Sequence, residues 1–280
     1  MAAGLMATIS AVFLTVLLSQ GAVSGQARQA PGHTLAEARV HYNAGRPADA
    51  LAALQPLLAR AGEPGPAALV AARALLERYR VSGDPADLTT ARGHLRAIDA
   101  ASLGAAERRE LIVGLAEALY LEDAFASAAE LFETALAPGA HALEPAARER
   151  VLDWWATSLD RHAQLKPTGE RRVVYRRIAD RMDRESRENP ASMPAAYWLA
   201  AGSRGAGELD RAWAAAIAAW VRAPMTIDRG AALRADVDRL VVQALIPERA
   251  RTLALSAKET EQAQAGMLAE WELIKKNWSR

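Results

Sequence analysis

The chain has 280 residues, 34 of them Lys or Arg and 33 Asp or Glu, with no cysteine. Balanced charge offers no basic footprint for nucleic acid, and the missing thiols exclude disulfides, Cys-ligated zinc and iron–sulfur clusters. Hydrophobic residues make up 51%; alanine dominates them, and its high helix propensity and small side chain favour closely packed helices, so an all-α chain is expected.

The opening stretch MAAGLMATISAVFLTVLLSQGAVSGQA carries no charged side chain and an apolar run from Leu5 to Leu18. That run is shorter than the roughly 20 residues a spanning helix needs. It reads as the core of a signal peptide over residues 1–27, with small residues at Gly25 and Ala27 where a peptidase would cut. The n-region has no Lys or Arg, so an uncleaved membrane anchor and a buried helix remain the alternatives. Without a cysteine after the run, a lipoprotein is excluded. The expected destination is periplasmic or secreted, with membrane contact at most through an uncleaved N-terminal segment. The Ala- and Arg-rich composition suggests a GC-rich bacterium.

After a short linker at 28–33, TLAE at Thr34–Glu37 matches a capping box and opens a helix from Leu35 to about Ala44. Gly45 stops it in the left-handed conformation other residues resist. Pro47 sits in the first turn of the next helix, where its missing N–H is harmless, and that helix continues to about Arg60. The punctuation recurs. In Leu115–Pro138 the residues Ala116, Leu119, Asp123, Phe125, Ala128, Phe132 and Ala135 match Ala38, His41, Gly45, Pro47, Ala50, Leu54 and Leu57 in offset. In Leu199–Pro224 the set is Ala200, Ser203, Gly207, Leu209, Ala212, Ala216 and Ala219. A looser copy between the first two supplies Leu88, Ala91 and Leu95.

Further helices are expected where Leu152, Trp155 and Leu159 share a face and where Val174, Ile178 and Met182 form a ridge. Another begins near Arg229 and is ended by Pro247. A last one, about Glu259–Trp278, aligns Met267, Trp271, Ile274 and Trp278 as a cover for the stack; a membrane-surface or partner-docking helix is the alternative. The segments near Gly62 and Pro138 read as turns, and no domain boundary is expected within 34–280.

This alternation of small and large positions resembles the tetratricopeptide repeat, a helical hairpin of about 34 residues that stacks into a superhelix. The resemblance implies an all-α, hairpin-repeat solenoid over 34–280 with a C-terminal capping helix. The clearest repeats lie near 34–62, 110–138 and 193–224, and a degenerate one near 66–98; another α-solenoid or a helical bundle is the alternative. In that family the first helices of the hairpins line a concave groove for extended peptides or partner helices. Carried over by position, the groove includes Arg39, Tyr42, Asn43, Glu117, Tyr120, Tyr197 and Arg204. Tyr42 and Tyr120 are equivalent, and packing between repeats is their other reading.

Chemistry is poorly signalled. Five histidines do not converge, no HExxH or G-x-S-x-G occurs, and GSRGAG near Gly202 lacks the Lys-Ser/Thr and the preceding strand of a phosphate loop. Asp236 and Asp238 fall on different helix faces. No catalytic residue, metal or cofactor is assigned, and the expected function is a non-enzymatic scaffold or adaptor of the bacterial envelope that binds an unidentified protein or peptide. The alternatives are a polysaccharide- or peptidoglycan-associated scaffold, with Trp154 stacking on sugars, and an accessory subunit capturing a small ligand near Trp154 and Trp155. The other tryptophans on apolar ridges, Trp213 and Trp220, read as core.

Overall fold

A computed structural model describes residues 34–59, 65–138, 143–226, 228–253 and 256–279; the expected signal peptide and linker lie outside them. Among the described residues every regular element is helical. In chain order they are α1 (Leu35–Asn43), α2 (Pro47–Leu58), α3 (Gly65–Ser82), α4 (Pro85–Ala97), α5 (Ala105–Leu121), α6 (Phe125–Ala135) and α7 (Pro145–Gln164). There follow α8 (Thr168–Glu188), α9 (Met193–Ala206), α10 (Leu209–Arg222), α11 (Ala231–Leu240), α12 (Ile246–Leu253) and α13 (Ala257–Trp278).

The hairpins are made by a shared turn. Gly45, Asp123 and Gly207 all take positive φ (69°, 60° and 84°). At each, the residue after the turn donates back to a carbonyl five residues earlier: Arg46 to His41, Ala124 to Leu119, Glu208 to Ser203. The turn residue itself donates to Tyr42, Tyr120 and Arg204 respectively. These paired bonds satisfy carbonyls left open at a helix C-terminus. Asp123 occupies a glycine's place because short polar side chains tolerate left-handed backbone. Gly83 (φ 71°) turns α3 into α4 with a single bond from its N–H to Tyr79, which places a hairpin in the degenerate copy.

Packing follows the small-and-large pattern. Ala38 and Ala50, Ala116 and Ala128, and Ala200 and Ala212 are fully buried, so the two helices of each hairpin approach closely. Leu54 and Phe132 are buried as well and wedge against the following helices; burying such a side chain is worth about 1.5–3 kcal/mol. Consecutive helices pack in adjacent pairs, and α1 touches α3, α3 touches α5, α7 touches α9 and α9 touches α11. α5 reaches α7 through Tyr120 and Trp154, whose ring centroids are 4.8 Å apart. Helices α1, α3, α5, α7, α9 and α11 thus share one side.

Two expectations are corrected. Pro247 does not end a helix: it lies inside α12. The preceding turn, Val241–Leu245, is a π-helix in which Ile246 N–H donates to Val241. The wider turn removes the hydrogen bond and the carbonyl clash a proline meets in an α-helix interior. The apolar stripe of α13 is also shorter than its spacing suggests. Met267 and Trp271 are buried and Ile274 packs against the core, but the Trp278 side chain is 56% exposed, its backbone carbonyl accepting from Arg234 of α11.

Candidate functional site

The side shared by α1, α3, α5, α7, α9 and α11 carries six of the seven residues transferred from the repeat resemblance in two clusters and a bridge between them. Near the N-terminal end, Arg73 on α3 is the hub. Its guanidinium donates to Glu117 at 3.0 and 3.4 Å and to Glu110 at 3.4 Å, and it lies 5.1 Å from the centroid of the Tyr42 ring. Arg39 donates to Glu110 at 2.8 Å. Three of the expected residues, Arg39, Tyr42 and Glu117, therefore meet around a fourth that sequence reasoning missed. Burial pushes the Tyr42 phenol above its usual range, with Arg73 opposing and Glu117, Glu77 and the α7 residue Arg150 also acting on it. Asn43 is exposed at the end of α1.

Gly114 makes the hub possible: a Cβ there would stand 3.1 Å from Leu95 and 3.5 Å from Arg73 Cγ. The available signal was spacing. Arg73, Glu77 and Arg80 fall at i, i+4 and i+7 on α3, and Glu110, Gly114 and Glu117 repeat it on α5, so each set lies on one helix face.

The bridge is aromatic. Tyr120 meets Phe125 edge-on at 5.3 Å and Trp154 at 4.8 Å, while Arg80 lies 6.0 Å from the Trp154 centroid. Tyr120 and Trp154 are half-buried, and Trp155 is fully buried beneath the guanidinium of Arg181.

The second cluster spans α7, α9 and α11. Trp198 Nε1 donates to Asp153 at 2.7 Å, and the ring of Tyr197 stands edge-on to Trp198 at 5.3 Å. Burial first, then Asp236, Asp160 and Asp153, push the Tyr197 phenol up to about 12. Burial also raises Asp153, with Asp236 adding to it and the Trp198 bond opposing. Asp160 is raised by burial against hydrogen bonds from Tyr175 and Gln164. Arg204 donates to both oxygens of Glu248 on α12 at 2.8 and 2.5 Å. Asp153 and Trp198 were not assigned from sequence, because they pair with each other across 45 residues of chain.

Away from this side, a cleft of about 390 Å³ lies between α6, α7 and α8, lined by residues that include Leu159, His162, Val173 and Arg177. Trp154 and Trp155 do not line it. Among the described residues no group of three or more His, Asp or Glu side chains is placed to hold a metal ion, and no helix is long and apolar enough to cross a membrane.

No family model matches the chain, and neither a curated protein nor a solved structure matches it.

Proposed function

We propose that the chain is a non-enzymatic binding scaffold of the tetratricopeptide-repeat type, exported to the bacterial cell envelope, which takes an extended peptide or protein partner on the side shared by α1, α3, α5, α7, α9 and α11. The observation that carries this reading is the shared turn at Gly45, Asp123 and Gly207, which gives three hairpins the same backbone geometry and sets Tyr42, Tyr120 and Arg204 at equivalent places. Repeats built alike and stacked on their neighbours present a continuous surface. Aromatic side chains with a polar tip suit such a surface.

Export rests on the uncharged apolar segment at Leu5–Leu18 and the small residues that follow it. A sugar-stacking role for Trp154 has less support, since Tyr120 and Phe132 pack around its ring at 4.8 and 5.9 Å.

Crosslinking in intact bacterial envelopes, followed by mapping of the joined residues, tests the reading. Crosslinks should concentrate on α1, α5 and α9 and be lost in a Tyr42→Ala, Tyr120→Ala double variant that keeps wild-type circular dichroism. Crosslinks confined to α4, α6 and α8 would reject the assignment.

A further inference from the structure

The flank of α13 beside α12 is apolar at its middle and charged toward both ends. A cleft of about 320 Å³ lies there, with Val242, Ile246 and Pro247 on one wall and Leu268 of α13 on the other. Leu268 is 41% exposed. Glu261, Leu268 and Lys275 follow one another along α13 at seven-residue steps, so they share one face of the helix. Lys275 is held by Asp238 at 2.8 Å and Glu272 at 2.7 Å. Its neighbour Lys276 is exposed and, like the exposed Glu261, has no ion pair among the described residues.

An exposed leucine beside an apolar cleft marks a contact surface, and the charges on either side of it select the occupant. Two copies of α13 laid antiparallel about a two-fold axis at Leu268 set Glu261 of each opposite Lys275 and Lys276 of the other. A parallel pair would set Glu261 on Glu261 and Lys276 on Lys276. The uncharged Leu5–Leu18 segment of the chain itself would leave both charges unmatched. We infer that this face receives a second copy of the same chain, α13 against α13 in antiparallel, with the two Leu268 side chains at the axis and Glu261–Lys276 pairs flanking it. Such a contact is isologous, each residue meeting in the other chain the residue that meets it. With a rise of about 1.5 Å per residue, the charge pairs stand about 10–12 Å to either side of the axis. Leucine burial supplies the attraction and the charges fix the direction. The contact does not depend on the scaffold reading above.

Sedimentation equilibrium of the full chain should show a concentration-dependent step from one 30.0 kDa chain to two. Leu268→Lys should abolish the step. Glu261→Lys and Lys276→Glu should each weaken association about tenfold, since each substitution acts at both ends of the two-fold contact. The two combined in one chain should restore it, because the swapped charges match again only in the antiparallel arrangement. That recovery also shows that the single variants still fold. The chain has no cysteine, so Leu268→Cys places one thiol at the axis, and copper–phenanthroline oxidation should join two chains there. Glu270→Cys, on the opposite flank of α13, should stay unjoined. A chain that remains single at every concentration overturns the inference, as does a dimer that persists in Leu268→Lys or a charge swap that fails to recover association. A single chain whose Leu268→Cys thiol is shielded from a thiol reagent until residues 1–27 are removed overturns it in favour of the chain's own N-terminal segment.

Discussion

The ring of Trp271 stands edge-on to that of Trp220, centroids 5.4 Å apart and planes at 74°. Trp271 belongs to α13 and Trp220 to α10, so this pair fastens the last helix to the helices before it. Trp213 joins from the same helix as Trp220 at 6.0 Å, and Trp271 Nε1 donates to Asp238 on α11 at 2.8 Å. Trp271→Ala is expected to cost about 3–5 kcal/mol, the range for emptying a buried aromatic site. Urea denaturation measures the loss, and limited proteolysis should cut within α13 first.

Arg73 and Glu117 make the opposite kind of contact, a half-buried ion pair. Arg73→Ala leaves Glu117 buried without its cation and should destabilise the protein by about 3 kcal/mol. Replacing both, as Arg73→Met with Glu117→Leu, should recover stability to within about 1 kcal/mol of wild type, because apolar side chains of similar volume avoid the desolvation cost. Glu110 keeps Arg39 in that double variant. A double variant as unstable as Arg73→Ala would mean that the packing, not the charge, holds this corner.

Glycine is interchangeable with alanine at one helix position and not at another. A Cβ on Gly205 would fall 2.3–2.5 Å from the Tyr175 ring, whereas a Cβ on Gly266 would meet nothing within 4 Å. Gly205→Ala should cost about 1–3 kcal/mol through overpacking, and would also disturb the Tyr175 hydroxyl, which donates to Asp160 at 2.7 Å. Gly266→Ala should stabilise α13 by up to about 1 kcal/mol through helix propensity. Thermal melts of the two variants should shift in opposite directions.

Two aspartates should respond to acid with opposite sign. Asp153 is held above the usual 3.8, so the native state binds its proton before the unfolded chain does. Its ionisation disfavours folding as pH rises through the native value, and the penalty vanishes below 3.8. Asp153→Asn should therefore match or exceed wild type in stability at pH 7, with wild type gaining on it as pH is lowered toward 4. Asp228 is held below 3.8, where hydrogen bonds from Ala232, Thr226 and Gly230 overcome burial. It contributes stability above 3.8 that is lost as pH falls through its lower native value. Asp228→Asn should be less stable than wild type at pH 7, the gap closing toward pH 2. Chemical denaturation across pH separates the two.

Local physics made much of this architecture readable from the chain. Thr34 could be named as a cap, Gly45 and Gly207 as left-handed stops and the Ala38, Ala116 and Ala200 series as contact points, because caps, turns and helical periodicity depend on residues within a few positions of one another. The tertiary structure alone decided what lies across the stack. It brought Arg73 to Tyr42 and Glu117, set Asp153 against Trp198, and let Pro247 continue a helix after a π turn. These outcomes depend on the distance and rotation between helices, which are fixed by how side chains from separate segments pack together, and no single stretch of sequence contains that sum.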